Sequence, residues 1–175
     1  MFMTEVLKRC SQLEQRVADV YTQFSKNETE DRELKSYWLG MAAEEKHHAK
    51  ILEAEKLALE VDSDTGYFMP EFEAKLREMD QELRQAEEQA QQGARQDEAF
   101  AIAMRLEQSE LNTIYRDLVI MGRAAVKLMA RHMDQSLSIP KHQQEFIEGA
   151  KRFVAAGPVR EQIETWGGQL AKSAA

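Results

Sequence analysis

Apolar residues recur at alternating spacings of three and four along most of this chain, the pattern of amphipathic helices packed on one face. The first stripe runs Leu7, Cys10, Val17, Tyr21, Phe24, with Val6, Leu13 and Val20 beside it, and predicts a helix over about residues 3–25. Polar Ser25 to Thr29 predicts a short turn, with Thr29, followed by Asp31 and Arg32, available to cap the next helix. That helix carries Leu34, Trp38, Met41 and Leu52 and runs to about Glu60. Val61 to Met69, ahead of Pro70, reads as a loop. Phe72, Leu76, Met79, Leu83, Ala86 and Ala90 then mark a further amphipathic helix, interrupted at Gly93. A long helix with Phe100, Met104, Leu111, Ile114, Leu118 and Met121 follows. The last stripe holds Leu128, His132, Gln135, Ile139, His142, Phe146 and Phe153. Pro140 falls within it and either kinks that helix or, with Ser138, starts a fresh one. Gly157-Pro158 closes the unit.

Four long core helices joined in pairs by short turns predict an all-α four-helix bundle over residues 1–157. The additional helix at about 70–92 lies in the connection between the pairs, and 158–175 form a short C-terminal helix or polar tail. The stripe of the additional helix needs cover, from its own bundle or from a second subunit.

Composition agrees with this architecture. The chain has 175 residues, one domain's worth, with 43% hydrophobic and 31% charged residues and only three prolines. The β-branched and aromatic runs of strands are missing. A net charge of −8 leaves no basic stripe for nucleic acid. Cys10 is the one cysteine, which excludes an intrachain disulfide and a four-cysteine metal centre. No apolar run approaches the length of a membrane span and no leader pattern opens the chain, so a cytoplasmic protein is expected.

What changes the picture is where polar residues interrupt the stripes. Glu14, Glu45 and Glu107 each stand where the spacing demands a buried side chain, and His48 follows Glu45 on the same helix face. Burying an unpaired carboxylate costs on the order of several kcal/mol. Three at one depth repel each other unless positive charge lies among them, and no arginine occupies these stripes. The halves also repeat: Glu14 precedes His48 by 34 residues, and Glu107 precedes His142 by 35. Such a repeat brings four ligand-bearing faces together, as in di-iron carboxylate bundles.

These residues resemble the rubrerythrin branch of the ferritin-like superfamily, over most of the chain. Glu14 matches the glutamate of the family's first helix. Glu45-Lys46-His47-His48 matches the Glu-x-x-His of its second, and Glu107-Gln108-Ser109-Glu110 the Glu-x-x-Glu of its third. The resemblance implies a metal set of Glu14, Glu45, His48, Glu107, Glu110 and His142, with Tyr21 and Tyr115 just outside the ligands. It implies two iron ions, with manganese or zinc as alternatives. It further implies a peroxide, dioxygen or ferrous-iron oxidation chemistry, and a homodimer. Two features depart from the family. Ile139 stands where the fourth helix should give a second Glu-x-x-His, and Glu145 could replace that carboxylate only if the chain is re-aimed at Pro140. No cysteines remain for a rubredoxin-like iron, so electrons would come from a separate donor protein.

Other polar positions read as ordinary. Glu44 and His47, one position off the stripe, are expected at a helix interface or in solvent. His132 lacks a companion glutamate and reads as a core or boundary histidine. The methionines and Cys10 read as core filler, and Glu87-Glu88-Gln89 as a solvated face. The alternative to an oxidoreductase is a degenerate bundle that binds one metal or none and serves metal binding or protein interaction without turnover.

Overall fold

A computed structural model describes residues 1–61, 68–108 and 139–173. These residues form six helices: α1 (Met3–Asn27), α2 (Arg32–Val61), α3 (Phe72–Gln91), α4 (Gln96–Glu107), α5 (Ile139–Phe153) and α6 (Pro158–Ser173). Among the described residues no strand occurs. One isolated antiparallel bridge ties Phe2 to Phe68, so the chain that enters α3 is held against the start of α1.

α1 and α2 form an antiparallel hairpin. Ser11 donates to the Ala49 carbonyl (2.9 Å) near one end, and Tyr21 packs on Trp38 (5.7 Å between centroids) nearer the turn. The turn is built by carboxylates. Glu28 accepts the backbone N–H groups of Glu30 and Asp31, both at 2.9 Å. Asp31 accepts those of Glu33 (2.8 Å) and Leu34 (3.0 Å), satisfying two of the donors that a helix start leaves free. The cap of α2 is therefore Asp31 rather than Thr29.

The stripe of α3 is covered by its own chain. Phe72, Leu76, Met79, Leu83, Ala86 and Ala90 are all buried. Arg16 of α1 reaches Glu87 through two nitrogens (2.7 and 2.9 Å) and Asp80 through a third (2.5 Å), and Asn27 donates to the Ala90 carbonyl. These pairs ascend together, so α3 runs parallel to α1. Gly93 adopts φ 85°, a left-handed conformation, and lets α4 start back immediately. α4 consequently runs parallel to α2, and α5 runs antiparallel to both, as Glu44 beside His142 and Tyr37 beside Phe146 show.

α5 is described from Ile139 and carries Pro140 at that end. The residues before Ile139, on which the choice between the two sequence readings for Pro140 depends, lie outside the described residues. α4 is described only to Glu107, so Leu111, Ile114, Leu118, Met121, Leu128 and His132 lie outside the described residues. The C-terminal segment is a helix: Ile163 and Trp166 of α6 are buried, and Trp166 packs on Phe146 of α5 (6.0 Å).

The core is thus a helical bundle with an aromatic layer toward its α1–α2 turn. Trp38 lies 4.7 Å from Phe100 and 5.1 Å from Phe24, and Tyr37 stacks on Phe100 at 5.7 Å. No helix among the described residues is long and apolar enough to cross a membrane.

Candidate metal centre

Above that aromatic layer, α1, α2, α4 and α5 each turn polar side chains inward. Glu14, Glu45, His48, Glu107 and His142 are all buried, none more than 6% exposed. They fall into two groups, Glu14–Glu45–His48 and Glu45–Glu107–His142, in each of which three donor atoms lie within 4.8 Å of one another. Glu45 belongs to both. Its Oε2 lies 3.0 Å from His48 Nδ1, and its Oε1 lies 2.8 Å from His142 Nε2. One carboxylate therefore reaches toward each group with a different oxygen. The two imidazoles meet edge to face, 5.2 Å between centroids.

His142 is the most constrained member. Its Nε2 faces both Glu45 (2.8 Å) and Glu107 Oε1 (3.1 Å), and its Nδ1 faces Glu44 Oε2 at 2.5 Å. A ring with a carboxylate on each side donates from both nitrogens and carries a positive charge. Burial opposes that charge, but Glu107, Glu44 and Glu45 together outweigh it and hold the imidazole pKa far above its usual value. Burial likewise opposes ionisation of Glu45. The hydrogen bonds from His142 and His48 win, and its pKa falls well below the carboxylate range.

Tyr21 supports the cluster from below. Its hydroxyl donates to Glu107 Oε1 at 2.7 Å, and burial together with the Glu107 and Glu45 charges keeps it protonated by raising its pKa. Gln143 holds the Glu107 carbonyl at 3.4 Å. Cys10, one helical turn before Glu14, is fully buried, and burial together with the Glu14 charge raises its thiol pKa, so it packs as a hydrophobe.

Glu44 and Tyr37 join the site without having been singled out for it by the sequence. Glu44, expected at a helix interface or in solvent, is found at the interface of α2 and α5. It lies beside the stripe, yet α5 approaches α2 on that side and makes it the partner of His142. The hydrogen bond from His142 lowers its pKa against the opposing effect of partial burial. Its outer side and Tyr37, Met41, Glu145 and Gly149 line a groove of about 680 Å³ that opens to solvent. Tyr37 donates to the Phe146 carbonyl (3.4 Å), and burial with the charges of Glu107, Glu145 and Glu44 raises its pKa. Both residues sit next to stripe residues, and a sequence shows which face of one helix is apolar but not where a distant helix will land.

The remaining sequence candidates are placed as follows. His47 is exposed on the far side of α2. Glu145 pairs with Lys141 at 3.2 Å and belongs to neither ligand group, so it does not replace the carboxylate missing at position 139. Glu110 and Tyr115 lie outside the described residues.

The donor set suits a metal. Three buried carboxylates and two buried imidazoles offer three neighbouring donor atoms in each of two groups. Carboxylate and imidazole are borderline to hard donors, a set that fits iron, manganese or zinc. The arrangement of Glu44 on Nδ1 with Nε2 turned to the ligand groups is the orientation that fixes a metal-binding histidine. No protein-family profile, no curated protein and no solved structure matches this chain.

Proposed function

We propose that this chain is a rubrerythrin-like, ferritin-like di-metal carboxylate protein, with two iron ions as the preferred pair, that reduces peroxide or dioxygen or oxidises ferrous iron. The observation that carries the reading is the sharing of Glu45 between two three-donor groups. A single structural ion pair has no use for such an arrangement, whereas two neighbouring cations need a common anionic ligand between them.

Glu14 and His48 would hold one ion, Glu107 and His142 the other, and Glu45 would bridge. The metal pair would supply the redox equivalents and the electrophilic surface for the oxidant. The chain's own residues do the rest. Glu44 retains the Nδ1 proton of His142, which leaves Nε2 free to bind once its proton departs. Tyr21 holds Glu107 by its hydroxyl and keeps one of its oxygens oriented. The aromatic layer of Trp38, Phe24 and Phe100 excludes water from beneath the site, and the groove of about 680 Å³ lined by Glu44 and Tyr37 would be the approach for a small oxidant from solvent. Electrons would come from a separate donor protein.

A second reading is favoured by one observation. His142 already satisfies Glu44, Glu45 and Glu107 by hydrogen bonds, and a bundle with one metal or none could use this network as a structural core. Metal analysis of protein purified without added metal separates the two. The di-metal reading expects about two ions per chain, together with visible absorption and oxidant consumption when ferrous iron and then peroxide are added. Absence of metal, with no binding of ferrous iron on titration, would overturn it in favour of the structural network.

A further inference from the structure

We propose that the cleft between α1, α2 and α3, on the side of α2 away from the metal centre, binds an anionic amphiphile, a long-chain carboxylate. The cleft has a volume of about 760 Å³, within the range of small-molecule sites. Its floor is Leu13, Ala49 and Leu76, and its rim carries Lys46, Lys50 and Arg77. It exists because α3 packs along α1, to which Arg16 clamps it, rather than along α2.

Charge decides what the cleft accepts. The chain is acidic overall at −8, but the two acids of the lining are already committed. Glu53 pairs with Lys56 at 2.6 Å, and Asp80 pairs with Arg16 at 2.5 Å and Arg84 at 2.8 Å. Lys46 and Lys50 stand one helical turn apart on α2 and have no ion-pair partner among the described residues. Two ammonium groups above an apolar floor, with their own alkyl stems forming part of the wall, match a ligand with an anionic head and a hydrocarbon body. A small inorganic anion would leave the apolar floor uncovered, and a neutral chain would leave the ammonium groups unanswered.

The inference is independent of the metal centre, because none of these residues belongs to the ligand groups. Titration calorimetry on the full chain, metal-loaded and metal-stripped, would compare dodecanoate, dodecanol and dodecyltrimethylammonium below their micellar concentrations. Dodecanoate is expected to bind one to one in both metal states, more tightly than the alcohol, with no binding of the cation. The double substitution Lys46→Gln and Lys50→Gln should weaken dodecanoate by about tenfold or more, since charge-assisted hydrogen bonds are lost. Lys151→Gln, on α5, should leave it unchanged, and circular dichroism should show equal helicity throughout. Absence of dodecanoate binding, equal binding of the alcohol, or indifference to the double substitution would overturn the proposal. So would a dimer, seen by sedimentation, that the double substitution dissolves while dodecanoate does not bind, since the occupant would then be a second copy of the chain.

Discussion

His142 and Glu44 illustrate how much a single side chain does here. A carboxylate on Nδ1 decides which nitrogen keeps its proton, and outer partners of this kind commonly change metal affinity by about 10–100-fold. Glu44→Ala is therefore expected to weaken metal binding by about that factor, measured by competition with a chromophoric chelator. Unchanged affinity would mean that packing alone orients the ring. The metal-stripped protein should also show a pH optimum of stability. His142 has a folded pKa above its ordinary 6.5, so its stabilisation is complete below that value and declines as pH rises beyond it, where the unfolded chain has already lost the proton. Glu45 has a folded pKa below its ordinary 4.5, so its contribution is present above that value and is lost as pH falls. Urea midpoints should peak between the two ordinary values and drop on either side; a monotonic profile would show that the pair is not ionised together. The burial of Glu14, Glu45, His48, Glu107 and His142 was legible in the sequence, since each stands at a position that the helical spacing turns inward. Glu44 and Tyr37 were not, because their importance comes from where α5 lands on α2, a long-range registration that no local spacing encodes.

At the scale of elements, that registration depends on a close approach. Gly149 of α5 faces the Tyr37 ring of α2, and a methyl group there would lie 2.2 Å from a ring carbon. Gly149→Ala must push α5 away or swing Tyr37 off Phe100. We expect it to cost about 1–3 kcal/mol, the usual range for overpacking, and to lower metal affinity as His142 moves with its helix. Denaturation and metal titration of the same variant would check both; a loss of stability alone would show that α5 pivots about the site instead of shifting it. Other elements divide in the same way between local and distant information. The periodicity of α1, α2 and α3 gave their extents to within a few residues. The cap of α2 turned on a choice between Thr29 and Asp31 two positions apart, which only the turn geometry resolves. The closing segment looked polar because Ile163 and Trp166 are few, yet those two residues suffice to seat α6 on Phe146. The covering of α3 by its own chain includes Arg16, whose partners Asp80 and Glu87 lie more than sixty residues away, and Glu87 reads in the sequence as part of a solvated face.

For the whole molecule, the centre is where the charge of the fold is concentrated at greatest cost. Two of the three buried carboxylates, Glu45 and Glu107, face His142 in the metal-free state, and a cation that replaces the His142 proton acts on the folded form alone. Metal at about a hundred times its dissociation constant should then add about 2.7 kcal/mol per site, or about 5–10 °C in melting temperature for a chain of this size. Calorimetry with and without a chelator would read that shift, and an unchanged melting temperature would mean that no site forms in the folded protein. If both groups hold metal as proposed, the sharing of Glu45 is a single point of failure. Under the di-metal proposal, loss of Glu14 or of His142 leaves the opposite group with its three donors and is expected to halve the metal content. Loss of Glu45 reduces both groups to two donors at once. In that reading Glu45 has no partial phenotype, and a descendant chain that keeps one ion while abandoning the other is expected to keep Glu45.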